Sequence, residues 1–123
     1  MSDLEEKALR LRSEKKYNCC QAVIAAMTDD DPTLVLAGAG FGSGMGDMNG
    51  PCGALTGAVM VAGIRTEGKD RHQVALRVQK IFREKSGAVI CRDLKGIDTG
   101  TVLCPCDQCI RNGVQACLEV TEQ

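Results

Sequence analysis

The segment from Pro51 to Ile64, PCGALTGAVMVAGI, constrains the fold most strongly, because its fourteen residues include no charge. Proline is favoured in the first turn of a helix, where its missing N–H would be unpaired anyway. We therefore predict that a helix opens at Pro51. A helix that is apolar on all sides is a buried helix. Its small residues, Gly53 and Gly57 among them, would let neighbouring helices pack close, so the segment predicts a buried central helix.

Helical patterns recur on both sides of this segment, at roughly residues 3–16, 19–27, 69–87 and 106–120. The third is the clearest amphipathic helix, with Val74, Val78, Ile81 and Phe82 on one stripe. The run TLVLAGAG is ambiguous between a strand and a helical turn, and AVICRDLKG reads as a short helical piece. With 123 residues, the chain fits one domain, residues 1–123. We predict an all-α fold: a small single-domain bundle of four to six helices, with a glycine-rich loop before the buried central helix.

Composition and charge exclude several classes of protein. Fifteen basic and sixteen acidic residues leave a net charge of −1, which recruits neither nucleic acid nor an anionic membrane. The N-terminal residues MSDLEEKALRLRSEKK are charged throughout and lack the apolar region of a signal peptide. No apolar run approaches the ~20 residues that a membrane helix needs. We expect a cytoplasmic protein that binds no nucleic acid and no membrane.

The glycine-rich loop resembles a phosphate-binding loop only superficially. Residues 40–57 contain seven glycines. The dinucleotide fingerprint G-x-G-x-x-G fails at the registers that start at Gly38, Gly40 and Gly42, since its third glycine would fall on Ser43, Met45 and Asp47. No Gly-Lys-Ser/Thr sequence occurs either, which excludes a Walker loop. Two interpretations of the loop remain. It is a glycine-rich connection packed tightly under helices, or it is the setting for Cys52.

Cys52 stands at the start of the predicted central helix, between Gly50 and Gly53. Unpaired N–H groups and the helix dipole stabilise a thiolate at a helix N-terminus, so we expect the pKa of Cys52 to be low. The flanking glycines, Gly50 and Gly53, would let backbone N–H groups reach sulfur atoms. Such a setting suits an iron–sulfur cluster or a reactive thiol equally well, while an inert buried cysteine is the alternative.

The other cysteines bring the total to eight, at positions 19, 20, 52, 91, 104, 106, 109 and 117. In a reducing cytosol such clusters are more often metal ligands or redox thiols than disulfides. Cys106 and Cys109 form a C-x-x-C without the βαβ setting of thioredoxin, without the histidine of a c-type haem site, and without the second knuckle of a zinc ribbon. Cys20 should point away from Cys19 on the same helix, and Cys117 reads as core.

Four blocks of the sequence resemble a known family. They are YNCCQAV, FGSGMG with GPCGALTGAVMVAGI, CRDLKGID, and a late cysteine before the final helix. Together they resemble the small redox-active proteins named for their C-GCAxxG-C-C cysteine pattern, over about Tyr17 to Ala116. The resemblance implies one cysteine-rich redox-active domain with four characteristic cysteines: Cys19, Cys52, Cys91 and Cys106. Cys106 fits the family's tail motif better than Cys109, which is the substitute. Some relatives are described as carrying an iron–sulfur cluster.

Three functions follow as hypotheses. In the first, Cys19, Cys52, Cys91 and Cys106 converge and bind an iron–sulfur cluster, [2Fe–2S], for electron transfer with a redox partner protein that the sequence does not name. In the second, Cys52 is the low-pKa thiol of a thiol–disulfide protein, with a nearby cysteine as its partner. In the third, zinc binds and only holds the fold. The first reading makes the protein an electron-transfer module rather than a stand-alone enzyme, and a homodimer stays open.

Overall fold

The computed structural model describes residues 2–122, with the side chain of Ser2 left out, and these residues fold as helices joined by short turns. The helices are α1 (Ser2–Lys15), α2 (Cys19–Met27), α3 (Pro32–Ala37), α4 (Gly42–Met45), α5 (Gly53–Arg65), α6 (Arg71–Ser86), α7 (Cys91–Leu94) and α8 (Cys106–Thr121), with a 3₁₀ turn at Ala39–Phe41. The four-residue α4 is irregular, because Ser43 and Gly44 have left-handed backbone angles. Extended pairing within this range is limited to one antiparallel bridge, between Pro51 and Ile90. The predicted all-α class is confirmed. The five longer helices fit the predicted four to six, and the structure adds α3, α4 and α7, which are short segments of six, four and four residues.

Helix α5 is the centre of the bundle and packs against α2, α8 and α6. The close approach of these helices depends on small residues. A Cβ on Gly57 would lie 2.8 Å from the carbonyl oxygen of Cys20 in α2, and one on Gly113 of α8 would lie 2.7 Å from that of Ala54. The predicted burial of the central helix is confirmed for most of its length, and Ile64 near its end is exposed.

The core is aliphatic, as the scarcity of aromatic residues requires. Phe82 of α6 is fully buried, together with Ile24, Leu94 and Ile110. Val74 and Val78 are buried beside Phe82, and Ile81 packs partly buried against the same core. None of the helices described in residues 2–122 combines the length and apolarity that crossing a membrane requires.

The structure decides one segment that the sequence left ambiguous, and it corrects the start of one predicted helix. The first five residues of the ambiguous run TLVLAGAG are helical and belong to α3. The Asp31 carboxylate caps this helix by accepting hydrogen bonds from the N–H groups of Thr33 and Leu34 at 3.0 and 3.1 Å. The prediction that a helix opens at Pro51 was wrong by two residues. The N–H of Cys52 donates to the carbonyl of Val89 at 2.8 Å, which keeps this backbone extended, so α5 begins at Gly53.

Candidate functional site

Four cysteines from four separate parts of the chain line one cavity of about 160 Å³. They are the four that the sequence singles out: Cys19, Cys52, Cys91 and Cys106. The remaining residues of the wall are Arg12, Asn18, Ser43, Met48 and Lys95. Cys52 and Cys91 are buried, whereas Cys19 and Cys106 are partly exposed. The cavity therefore has a thiol-lined interior and two thiols nearer its edge.

Cys19 is held at the start of α2 by a capping box. The side chain of Asn18 accepts from the N–H of Gln21 at 2.8 Å, and the Gln21 side chain accepts from the N–H of Asn18 at 3.2 Å. The Asn18 amide also donates to the carbonyl of Ala39 at 3.0 Å, which ties α2 to the glycine-rich segment. A Cβ on Gly53 would lie only 2.6 Å from the Cys19 sulfur, so glycine is what lets α5 reach Cys19.

Cys52 and Cys91 are brought together by backbone pairing between residues 48–52 and 89–92. In addition to the bond from Cys52 to Val89, the N–H of Cys91 donates to Gly50 at 3.0 Å, and that of Arg92 donates to Met48 at 2.8 Å. Gly50 thus supports the backbone of Cys91. Gly44 has a φ of +56°, and a Cβ there would lie 2.6 Å from the Cβ of Cys91. The glycine-rich loop therefore forms a wall directly against this cysteine.

The junction between α7 and α8 carries the tail cysteines to the cavity. The carbonyl of Leu94 accepts from the N–H groups of Leu103 and Cys104, at 3.0 and 3.2 Å. Cys106 is the first residue of α8 and lines the cavity. Cys109, one turn further, is fully buried beside the Cys52 thiol rather than in the cavity wall. Both tail candidates thus lie near the site, in different positions.

Lys95 is a site residue that the sequence interpretation missed. It directly follows α7, and its backbone N–H donates to the carbonyl of Cys91 at 3.0 Å. Its ammonium donates to the carbonyl of Cys104 at 2.9 Å and to the sulfur of Cys109 at 3.6 Å. Burial lowers the pKa of Lys95, but the charges of Cys109 and Cys106 outweigh burial and raise it. The sequence did contain a signal for it, because Lys95 lies four residues after Cys91 and residues one helical turn apart are neighbours.

The predicted low pKa of Cys52 is wrong. A hydrogen bond with the Cys109 thiol and burial raise the pKa of Cys52 to about 12, although the neighbouring Cys19 thiol and the N–H of Ala54 act in the opposite direction. The N–H group at the start of the helix thus lowers the pKa of Cys52 as predicted, but the Cys109 hydrogen bond and burial outweigh it. The pKa of Cys19 is also raised, first by a hydrogen bond with Cys52 and then by burial. Burial likewise raises the pKa of Cys91.

The cysteines outside this group belong to the core. Cys20 is fully buried, and burial raises its pKa to about 12. A Cβ on Gly38 would lie 3.2 Å from the Cys20 sulfur, so this side chain is directed toward the segment after α3. Cys117 is also fully buried. Cys104 is buried and accepts a weak hydrogen bond from the side chain of Asn112 at 3.7 Å.

The cysteine donors of the cavity suit a thiophilic metal or cluster, but they are not grouped around a single point. Cysteine thiolates are the ligands of iron–sulfur clusters and of many zinc sites. Within residues 2–122, however, no three cysteine, histidine, aspartate or glutamate side chains are grouped closely enough to form a ready metal site. The cavity therefore gathers thiols without closing them around a single ion.

The fold and site define a class: a small all-α, cysteine-rich domain in which four of the eight cysteines line one cavity. Residues 17–120 match the model of the family described as "Putative redox-active protein (C_GCAxxG_C_C)", and the chain belongs to this family. The resemblance seen in the sequence is thereby confirmed, and membership supports a redox role. Neither a search of curated proteins nor one of solved structures found a match to this chain.

Proposed function

We propose that this protein is a small redox module whose Cys19, Cys52, Cys91 and Cys106 bind an iron–sulfur cluster, [2Fe–2S], for electron transfer. One observation carries the proposal: these four thiols, from four separate segments, line the same cavity of about 160 Å³. They are 33, 39 and 15 residues apart in sequence, so only the fold brings them together. Packing alone does not need four cysteines in one place.

The arrangement of the thiols argues against a single zinc ion. A tetrahedral zinc site with Zn–S bonds of about 2.3 Å needs its sulfurs about 3.8 Å apart. No three side chains of the described range are grouped as a single ion requires. A two-iron cluster distributes four thiolates over two metal ions and so accepts wider spacing. When bound, such a cluster supplies a one-electron donor and acceptor.

The protein's own residues would hold, dry and orient that group. The backbone N–H groups of Cys20 and Ala54 favour the ionised form of Cys19, and the N–H of Ala54 does the same for Cys52. N–H contacts of this kind to cluster sulfurs tune reduction potentials. Cys52 and Cys91 are buried away from water. Cys19 and Cys106 are partly exposed, so we expect the redox partner protein to approach their edge of the cavity.

A second candidate, thiol–disulfide exchange, is favoured by a different observation. Cys52 lies between the thiols of Cys19 and Cys109, each of which interacts with it. In such a reaction the Cys52 thiolate would attack a partner protein's disulfide and release one partner thiolate. Cys109 would then attack the mixed disulfide, leaving a Cys52–Cys109 disulfide and a reduced partner. The raised pKa of Cys52 makes its thiolate scarce at neutral pH, which places this function second.

The test is anaerobic purification followed by reconstitution with iron and sulfide. We expect visible charge-transfer absorption, about two irons and two sulfides per chain, and an electron paramagnetic resonance signal after dithionite reduction. Replacing Cys19, Cys52, Cys91 or Cys106 by serine should reduce bound iron sharply. Cys20→Ser and Cys117→Ser are the matched controls, because both cysteines are fully buried outside the cavity wall, and each should keep its iron.

Several outcomes would contradict the cluster. A colourless protein with stoichiometric zinc would support the structural metal site instead. A colourless, metal-free protein in which mass spectrometry finds a Cys52–Cys109 disulfide would support the second candidate. If Cys109→Ser loses iron while Cys106→Ser retains it, Cys109 is the tail ligand and the function stands.

The partner and the compartment follow from the same chemistry. Thiolate ligands must be kept from pairing as disulfides, so we expect a reducing compartment, the cytoplasm. The electron partner would be another redox protein. Whether two copies of the chain associate can be measured by light scattering on the reconstituted protein.

A further inference from the structure

Two cationic side chains line the cysteine cavity, Arg12 and Lys95. Arg12 already has a counter-charge, because its guanidinium donates to the carboxylate of Asp107 at 2.7 Å. Lys95 is different. In the part of the chain that the structure describes, no carboxylate forms an ion pair with it. Its acceptors are the carbonyl of Cys104 at 2.9 Å and the sulfur of Cys109 at 3.6 Å.

A partly buried ammonium without a carboxylate partner is costly, because it has lost water and gained only a carbonyl and a sulfur as acceptors. The protein nevertheless holds Lys95 in this position. Its backbone closes the turn after α7 on Cys91, and its side chain spans to the loop that leads into α8. Cysteines that bind a metal do so as thiolates. The missing negative charge would therefore be supplied by the ligated cysteines of the cavity.

We propose that Lys95 is the charge-compensating residue of the cysteine cavity, and that its ammonium raises the reduction potential of the group bound there. This inference rests on the proposed cluster. Reduction adds one electron to a site that is already anionic with four thiolate ligands. A fixed positive charge beside the sulfurs stabilises the reduced form more than the oxidised form, since potential depends on net charge and on hydrogen bonds to sulfur. Lys95 is a positioning and tuning residue and is not itself a ligand.

The test compares midpoint potentials of three reconstituted variants by dithionite titration with redox mediators. Lys95→Met keeps the length of the side chain but removes its charge and donors. Lys95→Arg keeps the charge. Lys69→Met removes an equal charge near the far end of α5, at roughly 20 Å from Cys52 by the helical rise, where Lys69 is exposed in the turn before α6. That separation exceeds the Debye length of about 8 Å at physiological salt.

We expect Lys95→Met to reduce the ratio of reduced to oxidised cluster at a fixed potential about tenfold, which is about 59 mV for a one-electron couple. Lys95→Arg should stay much closer to wild type, and Lys69→Met should not differ from it. Loss of the cluster in Lys95→Met with retention in Lys95→Arg would also support the role of the charge.

Two contrary outcomes are distinguishable. If wild type binds the cluster and Lys95→Met has an unchanged potential, this inference is wrong while the proposed function stands. If wild type binds no iron, the proposed function is wrong and the inference falls with it. Circular dichroism checks the fold of each variant, and Lys95→Gln replaces Lys95→Met should the latter misfold. Unfolding of both neutral variants would identify Lys95 as merely structural and overturn the inference.

Discussion

Gly53→Ala tests whether the approach of α5 to Cys19 requires glycine. The added Cβ would lie 2.6 Å from the Cys19 sulfur, 2.7 Å from the carbonyl oxygen of Phe41 and 3.2 Å from the backbone N of Cys20. Two of these atoms belong to the backbone, so relief requires α2 or the 3₁₀ turn to move. Overpacking of this kind costs about 1–3 kcal/mol, whereas alanine in place of glycine in a helix gains at most about 1 kcal/mol. We expect a net loss of stability of about 1–2 kcal/mol.

Gly63→Ala is the matched control, because Gly63 lies in the same helix and a Cβ there would meet no atom within 4 Å. It should gain up to about 1 kcal/mol from helix propensity alone. Urea unfolding of the reduced, metal-free protein measures both changes. In thermal melts, each kcal/mol should move the midpoint by about 3–6 °C for a chain of this size. A Gly53→Ala protein as stable as Gly63→Ala would refute the close contact between α5 and Cys19.

Three further predictions address the cap, the buried thiols and their reactivity. Asn18→Ala should cost about 0.5–2 kcal/mol in thermal melts, since it removes the capping box of α2, and Asn18→Asp should cost less. Burial raises the pKa of Cys117 to about 11 from an ordinary 9.0. The contribution of this thiol to the free energy of unfolding is therefore full below about pH 9 and is lost as the pH rises from about 9 toward 11. Through this group, the reduced protein should lose roughly 1 kcal/mol of stability at pH 10 relative to pH 7. Cys117→Ala should show less of this pH dependence in urea unfolding. N-ethylmaleimide at pH 7 should modify the partly exposed Cys106 before the buried Cys52, and peptide mapping that finds Cys52 modified first would contradict this order.

The fold class could be predicted because its signals are local. An uncharged stretch around Gly57 and the periodic stripe of Val74, Val78 and Phe82 report directly on burial, and both are buried in the structure. The start of α5 could not be predicted in the same way. A hydrogen bond from Cys52 to Val89, 37 residues away in sequence, decides where that helix begins.

The features of the candidate site also divide into those that could be predicted from the sequence and those that depend on distant segments. The four cysteines could be named from the resemblance to the family, and the fold places all four in one cavity wall. The pKa of Cys52 could not be predicted from its helix N-terminus. Its shift depends on the thiols of Cys109 and Cys19 and on burial, which come from other segments. Lys95 was missed for the same reason, since its importance appears only when the α7–α8 junction brings it to the sulfurs.

The glycines around Cys52 show what the loop is for. Three of them meet atoms of residues that carry or support the cysteines, while a Cβ on Gly50 would meet the backbone of Gly44 at 2.9 Å. A Cβ on Gly42 would lie 2.7 Å from the side chain of Asn18, one on Gly44 would meet Cys91, and one on Gly53 would meet Cys19. Gly40 and Gly46 have open space around them, so they serve no such contact. A loop built to cradle a phosphate would turn its glycine backbone toward an empty pocket, whereas these three glycines are pressed against the thiol-bearing segments. The loop is therefore the inner wall that sets how closely the cysteines approach one another. Substitutions at the three contact glycines should disturb the site more than a substitution at Gly40, whereas at Gly46 the φ of +95° strains any side chain despite the open space.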